Sequence, residues 1–390
     1  MDESTTVAKI KFTARTFQGL EEVLAKELQT LGASDVVISK RAVDFSGDLK
    51  LLYKANLSLR TAIKLIMPIH YFSATTEEEL YNAVKGMEWE KYLTVNGSFM
   101  VDTAVHSEYF NHSKYVAYKT KDAIVDRFRE KFGSRPSVNF ENPTLYIDVR
   151  ISSDQCCVSF NTSGEPLFKR GYRQDTNEAP INECLAAGLV LLSGWHGEKD
   201  LLDPMCGSGT ILTEAAMYAM NIAPNINRND FGFKTLNDFD PKLLMEVKKD
   251  LRSQKKPLIC KIKGSDIDSK VVNKAMSNIA AAGLDEDISL RTKDFFTYEK
   301  QEKSVVIITN PPYHERMKSA DINEMYATIG DLLKQNFVNC EAWIISSNID
   351  ALKQVGLKPT IRIPLVNGKL ECRYMQFEMY EGTRKFIPQS

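Results

Sequence analysis

The chain has 390 residues, with 50 Lys and Arg against 51 Asp and Glu and a formal net charge of −1. The balance holds along its length: residues 1–160 carry 20 basic and 21 acidic side chains and the remainder 30 of each. That excludes the broad positive field of a strongly basic nucleic-acid binder. Hydrophobic content of 43% and charged content of 26% are ordinary for a globular chain. No apolar run approaches the ~18 residues of a membrane span, and LAAGLVLL (185–192) reads as a short buried helix. Seven scattered cysteines without a C-x-x-C pair argue for reduced thiols and against a disulfide framework or a metal site. The N-terminus, MDESTTVAK, is acidic and lacks the apolar core of a signal peptide, so a cytoplasmic chain is expected.

In chain order, residues 1–70 read as a small ferredoxin-like α/β unit. AKIKFTA is a strand, and GLEEVLAKELQTLGA is a helix with Leu20, Val23, Leu24, Leu28 and Leu31 at helical spacing. DVVIS and AVDFSG follow as strands. Residues 71–162 form a second α/β module: the helix TEEELYNAVKG, the strand SFMVDTAV, a helix over 114–132, then the strands TLYIDVRIS and CCVSFNTS. Residues 163–178 are a polar connector. From 179 to 390, alternating helices and strands predict one mostly parallel sheet. It ends in an antiparallel hairpin around Asn367-Gly368, a strong turn signal.

Residues 305–313, VVIITNPPY, carry the most chemistry. A β-branched apolar run stops at a rigid loop, because Pro311 and Pro312 fix their own φ and donate no backbone hydrogen bond. The amide of Asn310, the carbonyl of Pro311 and the ring of Tyr313 remain. They suit a flat, nitrogen-rich group: two oxygens accept the hydrogens of an exocyclic NH2 while the ring stacks. Upstream, KDLLDPMCGSGT (199–210) is a strand-to-helix turn whose glycines allow close approach to a ligand. It lacks the third glycine of a dinucleotide fingerprint and the Gly-Lys-Ser/Thr of a P-loop. Asp203 before the glycines suits a cationic or zwitterionic ligand. Strand ICKIKGSDID ends at Asp266, and ISLRTKDFF ends at Asp294 beside Phe295. All four elements fall at strand ends, where open α/β sheets bind ligands. For Asp266 to lie there, residues 221–257 must loop out as an excursion.

DPMCGSGT with a later NPPY resembles the class I S-adenosylmethionine-dependent methyltransferases that act on amino groups of bases. HSKYVAYKTKDAIVDRF (112–128), SGEPLFKRGYRQ (163–174), APINECLAAGLVLLSGW (179–195) and NGKLECRYMQFEMY (367–380) narrow it. They resemble the bacterial RNA methyltransferases that carry a THUMP domain, over residues 7 to 382. The resemblance implies a ferredoxin-like domain (1–70), a THUMP RNA-binding domain (71–162) and a Rossmann-like methyltransferase domain (179–390). It also implies a cofactor site built from Asp203, Pro204, Met205, Cys206, Gly207, Ser208, Gly209 and Thr210. Asp266, Ile267 and Asp268 would lie at the ribose, Asp294 and Phe295 at the adenine. Asn310, also facing the cofactor, would grip the target amino group with Pro311, Pro312 and Tyr313. The family commonly reads NPPYGER, whereas His314 here replaces the glycine before Glu315 and Arg316.

The expected partner is a structured RNA, with guanine N2 of 23S ribosomal RNA as the target the resemblance implies. Two local patches would bind it: His112, Lys114, Lys119 and Lys121, and Lys169, Arg170, Tyr172 and Arg173. Basic groups there meet phosphate and aromatics meet bases. Catalysis needs no covalent intermediate, since aligning the two reactants is a large effect by itself. An adenine-N6 target, a transfer-RNA target and a catalytically silent RNA-binding factor remain open on the residues alone, as does the choice between monomer and homodimer.

Overall fold

The computed structural model describes residues 9–173, 181–312 and 319–381. Its first half runs β1 (Ile10–Thr16), α1 (Glu21–Thr30), β2 (Ser34–Ser39), β3 (Ala42–Gly47), α2 (Leu49–Ser58) and β4 (Ala62–Ser73). It continues through α3 (Glu77–Gly86), β5 (Ser98–His106), α4 (Ser113–Phe132), β6 (Ser137–Val138), β7 (Leu145–Ser152) and β8 (Gln155–Asn161). These strands make one eight-stranded sheet in the order β2-β3-β1-β4-β8-β7-β5-β6. β4 joins its halves, antiparallel to β1 on one side and to β8 on the other. Residues 70 and 71 both lie within this strand. Pro68 sits where the β4/β8 register shifts, a place where a missing N–H is tolerated. α3 begins with a capping box between Thr76 and Glu79. α4 stops at Gly133, whose φ of +68° ends the helix.

The second half runs α5 (Glu183–Leu192), β9 (Asp200–Asp203), α6 (Thr210–Ala219), α7 (Pro241–Ser253), β10 (Ile262–Asp266), α8 (Ser269–Ala281) and β11 (Ile288–Thr292). It closes with β12 (Val305–Thr309), α9 (Ser319–Asn336), β13 (Glu341–Ser346), α10 (Ile349–Gln354), β14 (Ile361–Asn367) and β15 (Leu370–Glu378). The sheet order is β11-β10-β9-β12-β13-β15-β14. β11 to β13 pair in parallel, and the β14–β15 hairpin adds antiparallel to β13. Every residue of β12 is buried, as a central parallel strand covered on both faces requires. The Rossmann-like sheet with its terminal hairpin, and the α/β modules before it, agree with the fold class expected from the sequence. β9 lies between β10 and β12, so the chain's path reverses at its tip. Such a switch point opens a crevice at the carboxyl ends of the strands.

Residues 221–257 do leave the second sheet, and they pack against the first module. The N–H of Asn225 donates to the carbonyl of Leu57 at 3.0 Å, and that of Phe233 to Thr162 at 2.8 Å. The ring of Tyr53 of α2 packs tilted against Phe233 with ring centroids 4.6 Å apart, and its hydroxyl accepts from the N–H of Asp240 at 2.8 Å. The approach is close enough that a Cβ at Gly232 would lie 2.2 Å from the carbonyl oxygen of Asn161. One hydrophobic core runs from Phe12 of β1 to Leu251 of α7. The excursion is therefore a clamp between the two halves.

Candidate active site

β9 delivers Asp203 to the crevice floor. The chain then turns through Gly207 and Gly209, with φ of +52° and +78°, into α6. Side chains rarely adopt such φ, and a Cβ at Gly207 would meet nothing within 4 Å, so the turn faces open space. The N–H of Cys206 donates to the carbonyl of Ser265 at 2.9 Å, which ties the turn to β10. Asp203 is 1% exposed. Its Oδ1 accepts from the hydroxyl of Thr309 at 2.7 Å and from the N–H of Met205 at 3.3 Å. Burial pushes its carboxyl up to about 7, with Asp266 adding to the rise and the two hydrogen bonds opposing it. Among the described residues no basic side chain acts on it. A buried carboxylate of this kind is poised for a cationic ligand group.

At the tip of β10, Asp266 Oδ2 accepts from the N–H of Gly207 at 3.2 Å and Oδ1 from that of Asp268 at 3.1 Å. Asp268 caps α8 by accepting from the N–H of Lys270 at 2.8 Å, while Ile267 between them is 70% exposed. Asp294 caps a short 3-10 turn over 295–297, accepting from the N–H of Phe296 at 3.0 Å. The ring of Phe295 corrects the sequence expectation. It is buried against Tyr298 and Phe337, at centroid distances of 5.9 Å each, so it belongs to the core and only its backbone can meet a ligand. The exposed ring here is Phe296.

β12 ends at Thr309, and Asn310 follows at the crevice. The side-chain oxygen Oδ1 of Asn310 is buried and has no hydrogen-bond partner among the described residues. An unpaired buried acceptor costs stability unless a ligand completes it. Pro311 is buried and Pro312 exposed. Tyr313, His314, Glu315 and Arg316 lie outside the described residues. Pro204, Cys206, Ser208, Gly209 and Thr210 are buried in the turn, with Met205 and Gly207 half-buried. The buried Cys206 thiol is pushed well above its ordinary range, chiefly by burial, so it is a packing group in the turn. Among the described residues, no group of three metal-ligating side chains occurs.

The expected RNA-facing residues divide. His112 and Lys114 are exposed at the start of α4. Lys119 lies over the ring of Tyr115 at 5.6 Å and Lys121 over that of Tyr118 at 5.9 Å. Lys169 is exposed and paired with Glu165. Arg170, Tyr172 and Arg173 instead turn inward, contrary to the expectation. The Arg170 side chain is 1% exposed and donates to the carbonyls of Leu167 at 2.6 Å and Arg60 at 2.5 Å, with Glu214 at 3.5 Å. Tyr172 donates to Glu214 at 3.0 Å. Arg173 pairs with Glu183 at 3.1 Å and donates to Thr210 at 3.1 Å. Arg60 completes the network by donating to the carbonyl of Ile222 at 2.8 Å. The counter-charges lie on α5 and α6, remote in sequence, so the local pattern of base and aromatic could not reveal them. Thr309 was missed as well, since a threonine closing a strand carries no signal of its own.

These features place the chain among the Rossmann-like methyltransferases. It belongs to the family with an RMKL-like methyltransferase domain, matched over residues 170–376. A THUMP domain matches over 74–161 and an RlmL ferredoxin-like domain over 11–65. The chain is 36% identical over 387 residues to ribosomal RNA large subunit methyltransferase K/L of Syntrophotalea carbinolica. That match covers 96% of this chain and 54% of that protein, so the chain spans about half the length of this relative. It is 34% identical over 371 residues to slr0064 of Synechocystis, provisionally named an RNA methyltransferase, covering 95% of this chain and 97% of that one. The crystal structure of SMU.472, provisionally described as a methyltransferase and complexed with SAH, superposes with a TM-score of 0.86. It shares 32% identity and covers 96% of this chain and 99% of its own.

Proposed function

We propose that this methyltransferase modifies an exocyclic amino group of a base in RNA. The relatives' names support an RNA and, for one of them, a large-subunit ribosomal RNA substrate, and guanine N2 of 23S ribosomal RNA is the target the family resemblance implies. The methyl donor is S-adenosylmethionine, which when bound supplies a methyl group on a sulfonium. The residues of the crevice fit it. The buried Asp203 carboxylate, without a basic partner among the described residues, suits the donor's ammonium. The open glycine turn leaves room beside it. Asp266 sits where a ribose would lie, and Asp294 with the backbone of Phe295 where an adenine would.

The observation that carries the target assignment is the Oδ1 of Asn310, buried and without a hydrogen-bond partner among the described residues. It and the carbonyl of Pro311 accept the two hydrogens of a base amino group. A conjugated amino nitrogen is a poor nucleophile, because its lone pair is spread into the ring. Gripping both hydrogens favours pyramidalisation and directs the lone pair at the methyl. The chain thus supplies alignment, together with carbonyl dipoles that stabilise the positive charge growing on nitrogen. A base must leave its stack to reach this corner. Exposed His112, Lys114 and Lys169, with the half-buried Lys119 and Lys121, hold the RNA by its backbone, and a ribosomal RNA substrate puts the reaction in the cytoplasm.

The test is methyl transfer from isotopically labelled donor to large-subunit ribosomal RNA, followed by nucleoside mass spectrometry. Label in N2-methylguanosine is expected. Label only in N6-methyladenosine would move the target, and no label in any RNA would overturn the enzymatic reading.

A further inference from the structure

We infer that Thr309 is a positioning residue that holds the Asp203 carboxylate ready for the methyl donor and sets its distance from the target-gripping Asn310. The inference rests on the proposed reading of the crevice and deepens it. Thr309 ends β12 and is 1% exposed. Its hydroxyl donates to Asp203 Oδ1 at 2.7 Å, across 106 residues of sequence. The N–H of Met205 reaches the same oxygen at the longer distance of 3.3 Å. Among the described residues no hydrogen bond is made to Oδ2, so the pair of donors fixes one oxygen and leaves the other for a ligand. A β-branched side chain in a packed strand is stiff at χ1, which makes its hydroxyl a fixed donor. The next residue along the chain is Asn310. One residue therefore anchors the donor-side carboxylate through its side chain and the target-side amide through its backbone.

The same hydroxyl favours the ionised form of the carboxylate. Burial raises Asp203, and the Thr309 hydrogen bond is the larger of the two effects that lower it. Among the described residues the titratable groups around it offer no relief: Asp266 on β10 pushes it further up, and Cys206, Tyr298 and Tyr374 face it as neutral groups. Without the hydroxyl, the carboxylate would need a higher pH to take up its charge, and donor binding would follow.

The experiment measures S-adenosylmethionine affinity calorimetrically from pH 6 to pH 8 for wild type, Thr309→Val and Thr309→Ser. The ratio of variant to wild-type affinity cancels the ligand's own titration. For a rise of one pKa unit, Thr309→Val binds about tenfold more weakly at pH 6 and about twofold more weakly at pH 8. Thr309→Ser, which keeps the hydroxyl, stays within about threefold of wild type throughout, since Ser and Thr share the same donor. A Val variant that binds as wild type, or is weakened equally at every pH, would overturn the positioning role while leaving the site intact. Failure of the wild type to bind the donor at all would overturn the reading of the crevice, and this inference with it.

Discussion

Asp203 and Thr309 meet through a 2.7 Å hydrogen bond, although they close two different strands, β9 and β12. β9 and β12 are parallel neighbours, with Ile307 opposite Leu202, so both strands end at the same edge. The contact therefore follows from sheet order rather than from any local motif. It joins the carboxylate assigned to the donor with the strand that carries Asn310.

Asp203 should make the ligand-free protein less stable as pH rises. Its folded carboxyl titrates at about 7, against about 3.9 for an unfolded aspartate. Below pH 4 both states are protonated and nothing is lost. Between pH 4 and pH 7 the unfolded chain releases its proton while the folded one keeps it, so stability falls, by on the order of 4 kcal/mol. Asn at this position keeps the acceptor oxygen and carries no charge. Urea denaturation should show Asp203→Asn more stable than wild type at pH 8 and equal to it near pH 4. Parallel pH profiles for the two proteins would contradict this assignment.

Arg170 and Glu214 should matter to folding and not to RNA. Removing one member of a buried ion pair strands the other charge, at a cost of about 3–5 kcal/mol. Arg170→Met should therefore lower the denaturation midpoint sharply, and adding Glu214→Gln should recover part of the loss. Where the single variant is still folded, its RNA affinity and salt dependence should match wild type. A reduced salt slope would show that Arg170 reaches phosphate after all.

Lys114 should behave in the opposite way. It is exposed on α4, so replacing it with Ala should leave stability within about 0.5 kcal/mol. If it neutralises a phosphate, the salt slope of RNA binding should fall by about one. Filter-binding titrations at several salt concentrations measure both intercept and slope.

Gly232 is where the clamp from the second half touches the first module. A methyl group there would sit 2.2 Å from a backbone oxygen that cannot swing aside, so Gly232→Ala should cost about 1–3 kcal/mol. Gly86 ends α3, and a Cβ added there would meet nothing within 4 Å, so Gly86→Ala should change stability by less than about 0.5 kcal/mol. Equal melting temperatures for the two variants would mean that the clamp yields.

The sheet that carries the crevice was legible because its signals are local. The β-branched run before Asn310, the glycines at 207 and 209 and the turn at Asn367-Gly368 each act through their own backbone preferences. The first module was read less fully. α2 and β4 escaped notice, since LKLLYKANLS is apolar on most sides and β4 contains Pro68, which reads as a strand breaker until the register shift accommodates it. Arg170, Tyr172 and Arg173 were misread for an electrostatic reason. Exposed and buried arginines look alike in sequence, and Glu183 and Glu214, which draw Arg173 and Arg170 inward, lie on helices α5 and α6. The side taken by the Phe295 ring was not legible, because a ring beside an acid at a strand tip can face either crevice or core, and Tyr298 and Phe337 decide the matter from outside the motif.

The central claim is that Asn310 grips a base amino group beside the donor, and one comparison tests it most directly. Wild type and Asn310→Ala are each given labelled S-adenosylmethionine and large-subunit ribosomal RNA, with donor affinity measured in parallel. The account predicts donor binding within a few-fold for both proteins, and labelled N2-methylguanosine with the wild type alone. Undiminished methyl transfer by Asn310→Ala would contradict it.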